Sequence, residues 1–175
     1  MPEKLRVGIA GCGAMGLPMA INLQKADFRV KGYDVRPLDE FGDFASHLVK
    51  SAAELAKTCP VVISVVRDWH QTEVLCFGEN GLFSGETNPE ILVISSTLSP
   101  RQMLELRGRI PVDTALVDAP MSGAPIGAEN ATLTFMIGGE ALEVDTLMPV
   151  FRAMGKEINH LGDLGAGMTC KVLNN

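Results

Sequence analysis

A glycine-rich turn near the amino end constrains the fold of this chain more than any other feature. A short apolar run leads through Gly11-x-Gly13-x-x-Gly16, which encloses Ala14 and Met15, directly into a helical pattern. A strand, a glycine turn and a helix in this order let a pyrophosphate approach backbone N–H groups at the start of the helix. The three glycines serve, in order, the tight turn, the close approach of the diphosphate and the packing of the helix on the strand. The stretch therefore predicts a dinucleotide site.

An acidic residue follows at the distance that this interpretation requires. Asp34 closes the next strand-like run, residues 29–33, and lies 18 residues after Gly16. A carboxylate there would accept hydrogen bonds from the adenosine ribose hydroxyls of NAD and would repel the 2′-phosphate of NADP. Arg36, which follows Val35, would instead attract that phosphate. The segment Asp34-Val35-Arg36 thus predicts a cofactor contact that favours NAD, with NADP as the alternative.

Composition argues against several other classes of protein. A chain of 175 residues with 46% hydrophobic and 5% aromatic content predicts one domain with an aliphatic core. The net charge of −6 and the lack of a Lys/Arg cluster argue against a nucleic-acid partner, and no apolar run is long enough to predict a membrane span. The four cysteines form no Cys-x-x-Cys pair, so we expect no metal site and no disulfide framework, and a reducing, cytoplasmic location is the simpler interpretation.

Hydrophobic patterning along the rest of the chain predicts strands and helices in alternation. Continuous apolar runs indicate strands buried on both faces, and helical spacing or capping signals indicate the helices between them. The predicted strands are 5–10, 29–33, 46–49, 61–66, 91–95, 115–119, 133–137 and 157–160. The predicted helices run from the glycine turn to 26 and over 37–42, 51–58, 68–77, 100–108, 141–154 and from about 167, with a loop at 120–130. This order implies an α/β fold of the Rossmann type, a doubly wound, mainly parallel sheet with helices on both faces.

Two polar clusters follow the predicted strands. Ser96 and Thr97 lie at the carboxyl end of a strand, where open α/β sheets bind their ligands, so they are candidate cofactor contacts. The alternative, a helix cap, is assigned to Ser99. In the second cluster, Ser122 and the N–H groups of Gly123 and Ala124 could form a concave donor site for a carboxylate, and a merely irregular loop is the alternative.

A third cluster lies at the end of the chain. Lys171 and Asn175 are four residues apart, so they share one face of a helix. A lysine in such a position is usually a solvated surface charge. A lysine beside a nicotinamide could instead exchange a proton with a substrate hydroxyl.

The order of these segments resembles the β-hydroxyacid dehydrogenase family, which includes 3-hydroxyisobutyrate and 6-phosphogluconate dehydrogenases. Four signatures match in order over essentially all 175 residues: Gly11-x-Gly13-x-x-Gly16, Ser96-Thr97-x-x-Pro100, Asp118-Ala119-Pro120-x-Ser122-Gly123 and Gly165-x-Gly167-x-x-x-Lys171-x-x-Asn174-Asn175. The resemblance implies that Lys171 is the catalytic acid and base and that Asn175 helps to hold the substrate. It also implies that Ser122 with Gly123 binds the substrate carboxylate and that Thr97 contacts the nicotinamide ribose.

The chain departs from the family pattern in three places. Ala124 stands where the family usually has glycine, and Val65-Val66-Arg67 replaces Met-Leu-Pro in a loop that borders the cofactor. The resemblance also implies a helical domain that closes the pocket and forms a homo-oligomer. We therefore expect residues 1–164 to form the dinucleotide-binding domain and residues 165–175 to begin an interdomain helix, with the helical domain absent.

These observations lead to one functional hypothesis and two alternatives. The hypothesis is an oxidoreductase that transfers a hydride between NAD and a small 3-hydroxy acid similar to 3-hydroxyisobutyrate, with Lys171 exchanging the hydroxyl proton. One alternative is an NADP-dependent reductase of glyoxylate or a semialdehyde. The other is a dinucleotide-binding module without catalysis.

Overall fold

A sheet of eight strands organises residues 4–175, the part of the chain that this computed structural model describes. The strands are β1 (Arg6–Ala10), β2 (Arg29–Tyr33), β3 (Val61–Ser64), β4 (Ile91–Ile94), β5 (Ala115–Asp118), β6 (Met121–Ser122), β7 (Leu133–Gly138) and β8 (Gly155–Gly162). The helices are α1 (Gly16–Lys25), α2 (Ala52–Thr58), α3 (Trp69–Phe77), α4 (Pro100–Arg109), α5 (Ala124–Glu129), α6 (Ala141–Met154) and α7 (Ala166–Asn174). A 3₁₀ segment covers Leu38–His47.

The strand order brings the candidate residues to one edge of the sheet. Strands β2, β1, β3, β4 and β5 lie side by side in this order, and each neighbouring pair is parallel. Strand β7 pairs antiparallel with β5 and β6 and parallel with β8. Because the carboxyl ends of parallel strands meet at one edge, the turns after β1, β3, β4 and β5 border a common crevice. The predicted doubly wound, mainly parallel sheet is confirmed.

Each face of the sheet carries its own hydrophobic core. On one face, Ile9 and Ile63 pack in a cluster with side chains of α1 and α6. On the other face, Val62 and Leu92 pack in a cluster with side chains of α2, α3 and α4. Alternate residues of β3 therefore enter opposite cores, which explains why its sequence is apolar throughout. Each fully buried Ile or Leu side chain contributes about 1.5–3 kcal/mol relative to an exposed one.

Two predictions about local structure are wrong. Residues 46–49 do not form a strand, because residues 46–47 belong to the 3₁₀ segment, which buries its own Phe41 and Phe44, and Leu48 makes only an isolated bridge with Gly32. Residues 120–130 are not a loop throughout, since β6 and α5 lie within them. Pro125 lies in the first turn of α5, where its missing N–H costs no hydrogen bond, so a segment rich in glycine and proline still forms a short helix.

The capping signals predict two helix starts correctly. Ser99 accepts a hydrogen bond from Gln102 N–H and the Gln102 side chain accepts one from Ser99 N–H, which is a complete capping box. At α2, Ser51 accepts from Glu54 N–H, but the Glu54 carboxylate accepts from Lys50 N–H. The second half of that box is therefore displaced by one residue.

Candidate functional site

The glycine turn between β1 and α1 has room for a ligand only because it lacks side chains. Gly11 has a φ of +94°, and a Cβ there would lie 2.8 Å from Val65 O. A Cβ on Gly16 would overlap Gly11 O, whereas Gly13 has no atom within 4 Å of the position of a Cβ. Helix α1 has no side-chain cap at its start. The N–H groups of Leu17 and Met19 already donate to Gly13 O and Met15 O, so a diphosphate would be met by N–H groups of the turn that precedes them.

Asp34 lies against this turn and is held there by hydrogen bonds. Its Oδ2 accepts from Cys12 N–H at 2.8 Å, and its Oδ1 accepts from Arg36 N–H and Arg36 Nε at 3.0 and 3.2 Å. Burial alone would raise the pKa of the Asp34 carboxyl, but the hydrogen bonds from Arg36 and Cys12 outweigh it and lower the pKa. The Asp34 side chain is 9% exposed, so Arg36 and the turn cover most of the carboxylate.

Arg36 is anchored within the protein at several points. Its Nη2 donates to Cys12 O at 2.8 Å and its Nη1 to Glu40 Oε2 at 3.3 Å, and its guanidinium carbon lies 4.7 Å from the centre of the Phe41 ring. The Arg36 side chain nevertheless remains 43% exposed. One face of this cation is therefore bound by the protein, and the rest is open to solvent.

The turns after β3 and β4 meet beside the glycine turn. Val65 N–H donates to Ala10 O at 2.7 Å, which continues the parallel pairing of β3 with β1. Ser96 is 6% exposed, and its hydroxyl donates to Val66 O. Thr97 is exposed. The Ser96 hydroxyl proton is therefore engaged in holding residues 65–66, whereas the Thr97 hydroxyl is accessible at the edge of the sheet.

Lys171 and Ser122 meet across the crevice. Lys171 Nζ donates to Ser122 Oγ at 2.9 Å, which joins α7 to the end of β6. Gly123 and Ala124 continue the chain from Ser122 with φ values of +138° and +55°. Asn175 is exposed, and its N–H donates to Lys171 O at 3.1 Å. The structure thus brings the second and third candidate clusters into direct contact, with Ala124 in a conformation that favours glycine.

Helix α5 is tied to the helix that follows the glycine turn. A groove of about 550 Å³ lies between α1 and α5 and is lined by Gly13 and Pro125, among other residues. Asn22 of α1 also lines this groove, is 7% exposed, and donates from Nδ2 to Ala128 O at 2.6 Å. This bond fixes α5, which follows Ser122 in the chain, to α1, which follows the glycine turn.

Asp118 is a site residue that the sequence did not single out. It is fully buried at the end of β5, where Oδ1 accepts from Gly165 N–H at 2.7 Å and Oδ2 from Met168 N–H at 2.8 Å. Burial raises the pKa of the Asp118 carboxyl, and the hydrogen bonds from Gly165, Met168 and Gly167 only partly oppose the shift. The only signal in the sequence was its place in the motif Asp118-Ala119-Pro120, because its partners are backbone groups of a distant segment.

Cysteines and acidic side chains are not arranged for metal or disulfide chemistry in the described residues. Cys12, Cys59 and Cys76 are buried free thiols, and Cys170 is a half-buried one. Burial raises the pKa of the Cys12 and Cys76 thiols to about 12. Between residues 4 and 175, no group of three or more His, Cys, Asp or Glu side chains could hold a metal ion. Over the same range, no helix combines the length and the apolar character that a membrane crossing needs.

A comparison with protein families identifies this arrangement. The sequence profile of the NAD binding domain of 6-phosphogluconate dehydrogenase matches residues 6–162. The chain belongs to this family. The predicted resemblance, the NAD-binding domain and the Rossmann-type fold are thereby confirmed.

Individual members of the family are similar over nearly the whole chain. The 2-hydroxy-3-oxopropionate reductase of Escherichia coli (strain K12) is 34% identical over 178 residues, covering 97% of this chain and 59% of that protein. The 3-hydroxyisobutyrate dehydrogenase of Pseudomonas aeruginosa is 34% identical over 172 residues, covering 97% of this chain and 58% of that protein. The structure of Mycobacterium tuberculosis 3-hydroxyisobutyrate dehydrogenase with L-serine matches with a TM-score of 0.86 at 30% identity, covering 98% of this chain and 59% of that one. The chain thus spans just under three fifths of the length of these relatives.

Proposed function

We propose that this chain is the NAD-binding part of a dehydrogenase that acts on a small 3-hydroxy acid similar to 3-hydroxyisobutyrate. The observation that carries the proposal is the hydrogen bond from Lys171 Nζ to Ser122 Oγ. It joins a proton-exchanging group to a loop whose hydroxyl and N–H groups suit a carboxylate. A 3-hydroxy acid carries both groups, a carboxylate and a hydroxyl two carbons away.

The residues of the crevice fit a bound NAD. Gly11, Gly13 and Gly16, together with the uncapped start of α1, would receive the diphosphate, with Ala14 and Met15 in the same turn. Asp34 and its neighbour Val35 would border the adenosine ribose, because Asp34 Oδ2 accepts only the bond from Cys12 N–H and has acceptor capacity left, whereas Oδ1 already accepts two bonds from Arg36. Val65, Val66 and the hydroxyl of Thr97 would border the nicotinamide end, with Ser96 supporting them.

In the proposed reaction, residues of this chain exchange a proton with the substrate and hold it in place. NAD, when bound, supplies the acceptor for the hydride that leaves the hydroxyl-bearing carbon. The neutral amine of Lys171 takes the hydroxyl proton as the carbonyl forms, and the ammonium returns it in the reductive direction. Ser122 and Gly123 hold the carboxylate with Ala124, and Asn175 holds the reacting end of the substrate. Such positioning supplies a large part of the rate of an enzyme.

Arg36 keeps an NADP-dependent reaction as the second candidate. Its bonds to Asp34 and Cys12 O support NAD, because they direct the cation towards the protein. Its 43% exposed side chain supports the alternative, an NADP-dependent reductase of glyoxylate or a semialdehyde, because a 2′-phosphate could reach it.

We further propose that α7 is the start of an interdomain helix, with residues 1–164 as the dinucleotide-binding domain. Val172 and Leu173 support this assignment, since they are 52% and 82% exposed on α7. A groove of about 710 Å³ lined by Leu161 and Leu173, among other residues, runs beside them. A helical domain on this surface would bury these side chains and could form the homo-oligomer. The free cysteines support a cytoplasmic location.

The proposed function is tested by substrate turnover and cofactor binding measured side by side. A panel of small 3-hydroxy acids and semialdehydes is assayed with NAD(H) and NADP(H), and binding of NADH and NADPH is measured by fluorescence. In Lys171→Ala we expect turnover to fall by about 10²–10⁴-fold with NADH affinity unchanged. Lys156→Ala, an exposed lysine on β8, is the matched control. Unchanged turnover in Lys171→Ala would remove the assigned role, and NADH binding without any turnover would favour a non-catalytic module.

A further inference from the structure

One buried carboxylate holds the start of the helix that carries Lys171. Helix α7 begins after Gly165, whose φ is +94°, and no side chain of its own first turn caps it. The cap comes from Asp118, which is 47 residues away from Gly165 and 50 from Met168 in sequence. Its two oxygens bind one N–H before the helix and one within the first turn. The carboxylate therefore fixes both the position and the rotation of the helix start.

Two glycines make room for this contact. A Cβ on Gly167 would overlap Met136 O and lie 2.9 Å from Asp118 Oδ2. A Cβ on Gly138 would overlap Asp118 Oδ1 and lie 2.8 Å from Ala166 N. Any side chain at either position would push the start of α7 away from the sheet. The close approach of α7 to Asp118 thus depends on three separate positions of the sequence, Asp118, Gly138 and Gly167.

The same carboxylate is connected through short stretches of chain to both partners of the hydrogen bond across the crevice. Met168, whose N–H it binds, precedes Lys171 by three residues, a displacement of about 4.5 Å along a helix axis. Asp118 is also the last residue of β5, and Ser122 follows four residues later at the end of β6. A shift of the helix start relative to Asp118 would therefore change the separation of Lys171 Nζ and Ser122 Oγ.

We propose that Asp118 is a positioning residue that holds α7 in the register that places Lys171 Nζ against Ser122 Oγ. The inference rests on the proposed function only in taking Lys171 as the proton-exchanging group. Asp118 is itself fully buried, so its carboxylate is not accessible to a substrate. It acts through the backbone of α7, and the simpler alternative is a cap that stabilises the helix without setting the position of Lys171.

The decisive variant is Asp118→Asn, which keeps the shape of the side chain and replaces one acceptor oxygen by a donor. Three properties are measured on the full 175-residue chain: NADH affinity, hydrogen exchange of the α7 amides, and the ¹³Cε signal of Lys171 in selectively labelled protein. We expect NADH affinity to stay within twofold, and exchange at Gly165 and Met168 to accelerate at least about tenfold. The Lys171 signal should move towards its value in Ser122→Ala. Asp163→Asn, an exposed carboxylate two residues before Gly165, is the matched control and should change none of the three.

The Lys171 signal separates positioning from simple capping. Faster exchange in Asp118→Asn with an unmoved Lys171 signal would overturn the proposal, because α7 would then be stabilised without being placed. If Asp118→Asn does not fold, Gly165→Ala decides, since its Cβ would lie no closer than 3.7 Å to any atom and strains only the backbone at positive φ. A Lys171 signal that moves together with faster amide exchange at Met168 supports the proposal, and faster exchange with an unmoved signal overturns it, with Gly108→Ala, whose Cβ would meet nothing within 4 Å, as control. A wild-type chain that binds no NADH would contradict the proposed function alone, because the Lys171 signal is read without cofactor.

Discussion

Lys171 Nζ donates a hydrogen bond to Ser122 Oγ at 2.9 Å, although 49 residues separate the two in sequence. Each residue belongs to a different candidate cluster, so neither cluster alone contains the pair. The contact occupies one of the three protons of the ammonium group and leaves the others for a ligand. In the proposed function Lys171 exchanges the proton and Ser122 binds the substrate, so substitutions of the two residues should affect kcat and KM differently.

Removing the Ser122 hydroxyl should weaken substrate binding more than it slows the chemical step. Because a hydrogen bond to a charged group is worth about 1.5–3 kcal/mol, Ser122→Ala should raise KM for the hydroxy acid by about 10–150-fold. We expect a smaller change in kcat and none in NADH affinity, measured by steady-state kinetics and fluorescence titration. Ser46→Ala, in the 3₁₀ segment, is the control. A fall in kcat with an unchanged KM would show that Ser122 does not bind the substrate.

Ala124 occupies a backbone conformation that glycine adopts without strain. Its φ of +55° places it in the left-handed region, which costs a residue with a side chain about 1–2 kcal/mol. A glycine at this position would avoid that cost, but it would lose more conformational entropy on folding, which offsets part of the stabilisation. Ala124→Gly should therefore raise the free energy of unfolding by about 0.5–1 kcal/mol, measured by urea denaturation. Ala53→Gly, inside α2, should lower it by about the same amount, and a loss of stability in Ala124→Gly would contradict this reasoning.

The hydrogen bonds to Asp34 make it a source of pH-dependent stability. Its pKa is lowered in the folded state, so between the folded and unfolded pKa values the unfolded chain binds more protons and stability rises with pH. The contribution is therefore present above the ordinary Asp pKa of about 3.9 and is lost as the pH falls through the lower folded value. Wild type should exceed Asp34→Asn in free energy of unfolding at neutral pH, and the difference should shrink in acid.

Asp118 acts in the opposite direction but does not disturb this comparison. Its pKa is raised by burial, so its contribution to stability grows as the pH falls. Asp118 is present in both wild type and Asp34→Asn, so its contribution cancels in the difference between their free energies of unfolding. Asp113→Asn, which removes an exposed carboxylate, is the matched control. If the difference in free energy of unfolding between wild type and Asp34→Asn stays constant down to acid pH, the hydrogen bonds do not lower the pKa of Asp34.

The anchored Arg36 predicts how the two cofactors respond to its removal. If the side chain contributes to NADPH binding through the 2′-phosphate, Arg36→Ala should weaken NADPH at least about tenfold, the usual effect of a lost charge-assisted hydrogen bond. NADH affinity should hold, since Asp34 remains bound to Cys12 N–H. Both affinities are measured by calorimetry, with Arg101→Ala on α4 as the control. Equal weakening of both cofactors would instead mean that Arg36 matters only by holding Asp34 in place.

Features encoded by nearby residues could be predicted from the sequence. Strand β2 and helix α6 have the predicted bounds, because the patterns that indicate a strand or a helix are signals within one segment. The glycine turn was equally readable, since each glycine is required by backbone geometry near it. The prediction for residues 46–49 was wrong because residues 46–47 continue the 3₁₀ segment, whose position depends on the burial of Phe41 and Phe44 against the rest of the protein.

The site was only partly readable for the same reason. The sequence named Lys171 and Ser122 but could not show that they touch, since their contact depends on where α7 lies against β7. Asp118 was missed as a positioning group because its partners are N–H groups, which every residue except proline possesses. A buried carboxylate bound only to backbone leaves no complementary side chain for a reader of the sequence to find.

Asn22 gives the crevice a fixed dimension. Its amide fastens the last turn of α5 to the flank of α1, so the helix after the glycine turn and the helix after the Ser122 loop form one stiff unit. A ligand that reaches both the glycine turn and the Ser122 loop must match the spacing that this bond maintains. The fixed spacing of these two helices thus selects ligands by their length, independently of the residues that react.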